Sequence, residues 1–339
     1  MDKKIIKKVL EALNHRVKSS YAIFSDNEYK AAQIDKNNFH IIDELKTDNK
    51  VAFIDGGNAE IIGASNFSLQ LIRCCYVLYK SKRLKLEKKE FYALVTAEIK
   101  GEKVVYKTET FGGFDNLIFN SEDETLKEGV NRANISKIGD VIRRFSELKM
   151  ASELASRLDQ KDIIVLDGDL KVSFTDEIKY FNDLYNQGKE KNVFIAAIAK
   201  TSRVFTDSGD SLIVALDEIS PKNCWYYYPV VEINNKKHEA DMFIVKLHER
   251  SNYIFKLEVY KGVQCQINEL LSILKHNSSD PVFLGYPYGL VEADRYARVS
   301  NEEIEYLRTT ITAEIGKDWS RLGKYVNTLN AHNILDNIR

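Results

Sequence analysis

Two apolar runs, VAFIDGG at 51–57 and IIVLDGDL at 163–170, each stop on an aspartate followed by a glycine. Four or five consecutive apolar positions, rich in β-branched residues and closed by a turn signal, describe a strand buried on both faces at the centre of a sheet. Two such strands, with helical patterns between and around them, predict a mixed α/β domain. Each strand also carries its last carboxylate to the edge of the sheet, where an unpaired charge is costly unless a cation or donor meets it.

A chain of 339 residues that is 44% hydrophobic can bury a full core, as one large domain with an appendage or as two modest ones. Its 49 basic and 50 acidic residues leave a formal net charge of -1, so any polyanion would have to be met by a local patch. Cys74, Cys75, Cys224 and Cys265 form no CxxC and have no histidine at zinc-like spacing, which predicts free thiols in a reducing compartment. The N-terminus lacks the apolar core of a signal peptide, and no stretch is apolar over roughly 18 residues. The expectation is a soluble, cytoplasmic protein with no membrane partner.

The first 47 residues read as an amphipathic helical segment, with Ile5, Ile6, Val9, Leu10 and Leu13 at helical spacing and the intervening lysines forming the solvated face of a packing helix. From 51 to about 110 the pattern is of strands. NAEIIGA continues the first strand as a hairpin, FSLQLIRCCYVLYKS is a second, and EFYALVTAEIKGEKVVYKTET holds a third and a fourth. KSKRLKLEKK between them reads as a basic hairpin tip, which beside a carboxylate site could also steer a phosphate backbone. Ile138, Val141, Ile142, Phe145, Leu148, Ala151, Leu154 and Ala155 repeat every three or four residues, a long helix leading into the second apolar run. A helix at 177–187, the strand NVFIAAIAK, a strand-rich section to residue 260 and helices near 263–276 and 290–315 complete a core over 48–315. Residues 316–339 read as a peripheral helix or tail, and no internal repeat is present.

Paired strand-end aspartates joined by a helical carboxylate make a hard oxygen cage suited to Mg²⁺ or Mn²⁺. Two such ions about 4 Å apart serve phosphodiester hydrolysis by activating water and stabilising the leaving oxygen. A single Asp-Gly is more often a turn with an Asx bond, so it is the repetition that points to a site.

VAFIDGG, RRFSELKMA, IIVLDGDL, AIAKTSR and GYPYGLVEADRYARVSNEE, in that order, resemble the NurA nuclease family from residue 51 to 303. The resemblance implies an RNase H-like mixed sheet flanked by helices, with helical additions at both ends. It also implies a Mn²⁺- or Mg²⁺-dependent nuclease acting on DNA, as a homodimer on a hexameric HerA-like ATPase, in end processing or defence against foreign DNA. Asp55 and Asp167 match the family's metal-binding aspartates. Asp169 stands where the family usually has a small residue, and reads as a turn or N-cap residue. Glu147 fits the family's R-x-x-E helix, whereas Glu153, six residues on, lies about 120° around the helix, so only one of them can face the site. Tyr286 and Asp294 match site positions, the second often histidine in the family. All six histidines lie outside the matched motifs, so no imidazole is offered for proton transfer and base catalysis would fall to metal-activated water. Lys200 and Arg203, just past a buried strand, could neutralise the scissile phosphate or be a solvated pair. The cluster from Trp225 to Tyr228 has the residue types that anchor interfaces, though alternate side chains of a strand would point inward. Two other readings remain: a catalytically inactive scaffold of a translocase complex, and an actin-like or sugar-kinase-type ATPase, for which the second glycine-rich phosphate loop and the adenosine motif are missing.

Overall fold

The two apolar runs become adjacent parallel strands. The computed structural model describes residues 2–13, 19–320 and 322–324. Helix α1 (Lys3–Leu13) precedes three short strands, β1 (Ala22–Ile23), β2 (Tyr29–Ala31) and β3 (Phe39–Ile41). A meander follows: β4 (Val51–Ala64), β5 (Phe67–Tyr79), β6 (Arg83–Lys100), β7 (Lys103–Phe111) and β8 (Ile118–Asn120). Next come α2 (Ile138–Ala155), β9 (Ile163–Asp167), α3 (Glu177–Lys191) and β10 (Phe194–Ala199). The remainder adds β11 (Phe205–Thr206), α4 (Leu212–Ile219), β12 (Trp225–Tyr227), β13 (Val231–Ile233), β14 (Ala240–Lys246) and β15 (Phe255–Tyr260). It ends in α5 (Ile267–Asn277), α6 (Tyr288–Ala297) and α7 (Asn301–Ile315).

Eleven of these strands form one sheet in the order β3-β12-β14-β15-β10-β9-β4-β5-β6-β7-β8. Only the β10–β9 and β9–β4 pairs are parallel; every other neighbour is antiparallel. The apolar sequences of β9, up to its final Asp167, and of β10 follow from that position, because helices cover both faces of the parallel centre. Leu148, Ala151 and Leu154 of α2 and Phe181 and Leu184 of α3 join the same core cluster as Leu271 and Leu274 of α5 and Leu290 of α6.

Several expectations are corrected here. Among the described residues the helical reading of the first 47 holds for α1 and for a single 3-10 turn at Lys36–Asn38, residues 1 and 14–18 lying outside them, and α1 leaves Ile5, Ile6, Val9 and Leu10 exposed instead of packing them. NAEIIGA does not turn back: β4 runs unbroken to Ala64, with a register shift between Glu60 and Ile62, and the hairpin turn follows it. The basic stretch is a hairpin tip only at residues 80–82: from Arg83 onward it is strand β6, whose cations are taken up in ion pairs, Arg83 with Glu292, Lys85 with Glu87 and Lys89 with Glu153. Trp225, Tyr226 and Tyr227 are buried, Trp225 and Tyr227 in one core cluster and Tyr226 in another, as the alternation of β12 requires. They offer no exposed interface cluster. The C-terminal helical stretch is broken at residues 298–300, where Ser300 accepts the Glu303 N–H at 3.1 Å and starts α7 afresh. Of the tail at 316–339, residues 321 and 325–339 lie outside the described residues.

Helix α6 reaches β4 so closely because Gly289 has no side chain: a Cβ there would stand 2.0 Å from the Phe53 ring. Gly289→Ala should therefore destabilise the fold by about 1–3 kcal/mol through overpacking, read as a lower urea midpoint with an unchanged slope.

Candidate active site

Strands β4 and β9 pair in parallel from Val51–Ile163 to Ile54–Leu166. The next residue on each is Asp55 and Asp167, side by side and on the same face of the sheet. Gly168 then takes a positive φ of 109°, which ends β9 and turns the chain away from the sheet.

Helix α2 brings Glu147 against them. It can do so because residue 56 is glycine, where a Cβ would lie 2.5 Å from Glu147 Oε1. Glu147 is buried, hydrogen-bonded by Arg143, with Arg144 Nη1 3.7 Å from its second oxygen. Burial raises its pKa and the two arginines partly offset that rise. Glu153 points elsewhere, paired with Lys89 at 2.5 Å on a more open face. The third wall comes from α6 and the turn before it. Tyr286 donates to Asp167 Oδ1 at 3.2 Å, and Lys200, just past β10, lies 2.7 Å from Asp167 Oδ2 and 3.4 Å from Asp294 Oδ1. Asp294 is held in turn by Arg298 at 3.1 Å.

Asp55 is the strained member. It is 6% exposed and has one hydrogen bond, from the Gly56 N–H at 2.8 Å. Burial, reinforced by the negative charges of Asp167 and Glu147, pushes its carboxyl up to about 8 against the pull of Lys200. Burial disfavours the Lys200 ammonium, but Asp167, Asp55 and Asp294 outweigh it and its pKa rises. The Tyr286 phenol is driven well up by burial and then by Asp167, so it keeps its proton and acts as a donor.

Hard carboxylate oxygens and an excess of negative charge at a buried aspartate fit a divalent cation. With Glu147 turned to Arg143 and Asp167 to Lys200, no group of three His, Cys, Asp or Glu side chains among the described residues is gathered tightly enough to hold a metal as it stands. Cations of the chain itself occupy the carboxylates.

The NurA domain matches residues 49–299, well over half of the sequence. The chain belongs to the NurA family. The crystal structure of the NurA nuclease from Sulfolobus solfataricus aligns with a TM-score of 0.52 at 16% identity, covering 94% of this chain and 98% of that one. Ciona intestinalis endonuclease V, solved with a 24mer DNA, aligns at 0.39 and 12% identity over 90% of this chain and all (100%) of its own. Aquifex aeolicus Argonaute aligns at 0.36 and 12% identity over 75% of this chain and 29% of its own. No curated protein sequence matches the chain. The NurA alignment supports the RNase H-like reading of the mixed sheet.

Within this NurA domain, Asp55, Glu147, Asp167, Lys200, Tyr286 and Asp294 come together, whereas Arg203 is exposed and apart from them. Asp169 is not an N-cap: α3 starts after Asp176, and the Asp169 carbonyl accepts a hydrogen bond from Arg144 at 2.7 Å. Reading the sequence missed Arg144 as a second partner of Glu147 beside Arg143. Its spacing, i to i+3, was the available signal.

Proposed function

We propose that this NurA protein is a DNA nuclease that hydrolyses phosphodiester bonds with Mn²⁺ or Mg²⁺ held by Asp55, Glu147, Asp167 and Asp294. The observation that carries the reading is the buried Asp55 carboxyl, pushed up to about 8 beside Asp167 and Glu147, a placement with no benefit to folding and a clear use in ligating a cation. Bound there, the metal would supply an activated water and charge neutralisation at the phosphate and the leaving oxygen. Tyr286 fixes the rotamer of Asp167 through its hydroxyl. Lys200, raised in pKa and fully protonated near neutrality, is set to leave the carboxylates for the scissile phosphate when a cation takes its place. Arg143 holds Glu147 until the same moment.

Incubating plasmid DNA with the protein and Mn²⁺, with and without a chelator, tests the reading. Degradation that stops with the chelator supports it, and an inert protein points to the scaffold role. Glu147→Gln should lower the rate by roughly a hundredfold, about 2.7 kcal/mol of transition-state stabilisation. Glu153→Gln should stay within about twofold, as expected for an exposed pair of small worth. The reverse result would place the wrong face of α2 at the site.

The family resemblance further supports a homodimer working on a hexameric HerA-like ATPase, in DNA end processing or defence against foreign DNA. A net charge of -1 gives the nuclease little long-range hold on DNA, so a motor that delivers the duplex should raise its rate. Light scattering at the 39.0 kDa monomer mass would remove the dimer, and equal digestion with and without motor and ATP would remove the delivery role.

A further inference from the structure

On the same edge of the sheet as the carboxylates, the segment before β2 and the loops after β9 and β10 line an open cavity of about 160 Å³. Phe24, Tyr29, Val204 and Met242 give it an apolar lining. Phe24 and Tyr29 stack with centroids 5.4 Å apart and planes 19° from parallel, and Lys171 Nζ stands 5.5 Å from the Tyr29 centroid.

The floor is a chain of polar contacts in which His238 Nε2 faces Glu258 without a well-aligned hydrogen bond. Tyr29 Oη lies 2.8 Å from His238 Nδ1, His238 Nε2 lies 3.0 Å from Glu258 Oε2, and Lys256 Nζ lies 2.7 Å from Glu258 Oε1. The Leu170 N–H also donates to Glu258 at 2.8 Å, tying the floor to the loop that leaves Asp167. Burial would raise the Glu258 pKa, but His238 and Lys256 bring it down to about 2, so Glu258 is a satisfied anchor and no ligand group. Lys256 gives one of its three N–H donors to Glu258 and turns toward the cavity. Asp169 lines the opposite side, and no donor among the described residues bonds its carboxylate.

We propose that this cavity is a nucleobase pocket that takes an unpaired pyrimidine from a strand lying across the Asp55–Asp167 centre. The inference rests on the nuclease reading. Ammonium groups of Lys171 and Lys256 line the cavity together with the carboxylates of Asp169 and of Asp26, the latter already accepting from the Glu28 N–H and the Asn235 amide. A phosphate would be repelled by the carboxylates, whereas a neutral ring with donor and acceptor edges between apolar walls uses both kinds of group. The volume matches a single ring, since an apolar cavity of about 150 Å³ holds one benzene. A paired base is unavailable without unstacking, which takes a few kcal/mol, so the pocket favours single strands or frayed ends.

The test compares 5′-labelled twelve-residue oligothymidylate and oligodeoxyadenylate by fluorescence anisotropy on the intact protein in chelator, where nothing is cut. Oligothymidylate should bind about tenfold tighter, within what base stacking supplies. Ser25→Trp at the exposed rim and Val204→Trp from the opposite wall each fill the cavity, and circular dichroism and melting confirm that the variants fold. The preference should vanish in either folded variant while metal-dependent hydrolysis persists. Equal affinity in the native chain, or a preference that survives a folded filling variant, overturns the pocket and leaves the nuclease standing. Failure to bind or cut any DNA overturns the pocket together with the nuclease reading beneath it.

Discussion

Replacing Asp55 by asparagine should abolish metal-dependent hydrolysis and at the same time stabilise the metal-free protein above neutral pH. The two effects share one cause. In the unfolded chain Asp55 titrates near 3.8, whereas in the fold it is pushed up to about 8 by burial, by Asp167 and by Glu147. Between those values the native state binds the extra proton, so stability falls as pH rises through the window and the loss is complete above about 8. Asparagine keeps the shape and has no charge to bury. Melting followed from pH 4 to 9 in chelator should show a native curve that declines more steeply than the variant's, with the two crossing or diverging in favour of the variant at the alkaline end. A native curve as flat as the variant's would show that Asp55 ionises freely and has no need of a cation. On the catalytic side, Asp55→Asn and Asp167→Ala should each slow plasmid degradation by about a thousandfold or more, the scale expected from losing several kcal/mol of metal-borne stabilisation. Divalent cation binding near neutral pH should also release protons, because the cation displaces the one on Asp55.

The half of the site that could be read from the sequence is the half whose chemistry is local. An apolar run must end somewhere, and an aspartate at that end is visible without knowing the fold, so Asp55 and Asp167 could be paired before any coordinates. Glu147 against Glu153 was an angular question, and packing decided it through the missing side chain of Gly56. Nothing in the sequence could show that Lys200 would bridge Asp167 and Asp294, because that contact joins segments 33 and 94 residues apart. The errors were equally physical. Strands β1 and β2 are two or three residues long, too short to carry a period. Arg83 and Lys89 of β6 pair with Glu292 and Glu153 from other elements, so a strand looked like a loop. The aromatic run at 225–227 looked like surface because its composition suits an interface, but β12 is covered on both faces, Trp225 and Tyr227 by one core cluster and Tyr226 by another.

Arg144→Met should be the most damaging single substitution outside the carboxylates, costing about 3–5 kcal/mol of stability. Arg144 is buried between helices, where Nε donates to Glu177 Oε1 at 2.8 Å and Nη2 donates to the Asp169 carbonyl at 2.7 Å. Glu177, fully buried, uses its other oxygen to accept the N–H groups of Ser173 and Phe174 at 2.6 and 2.9 Å. One ion pair therefore pins both ends of the loop that leaves Asp167. Removing the cation strands a buried carboxylate and a part-buried carbonyl together, which is worse than never having had the pair. The double variant Arg144→Met with Glu177→Leu separates these contributions. It removes the uncompensated charge and should recover part of the loss, but the Asp169 carbonyl and the Ser173 and Phe174 N–H groups remain without partners, so recovery should stop short of the native chain. Urea unfolding of the native protein, the single variant and the double variant measures all three steps. A single-variant loss below about 1 kcal/mol would mean that the pair is no better than an exposed one and that the loop is held by other means. Full recovery in the double variant would mean that the hydrogen bonds to the loop contribute nothing to holding Asp167 in place.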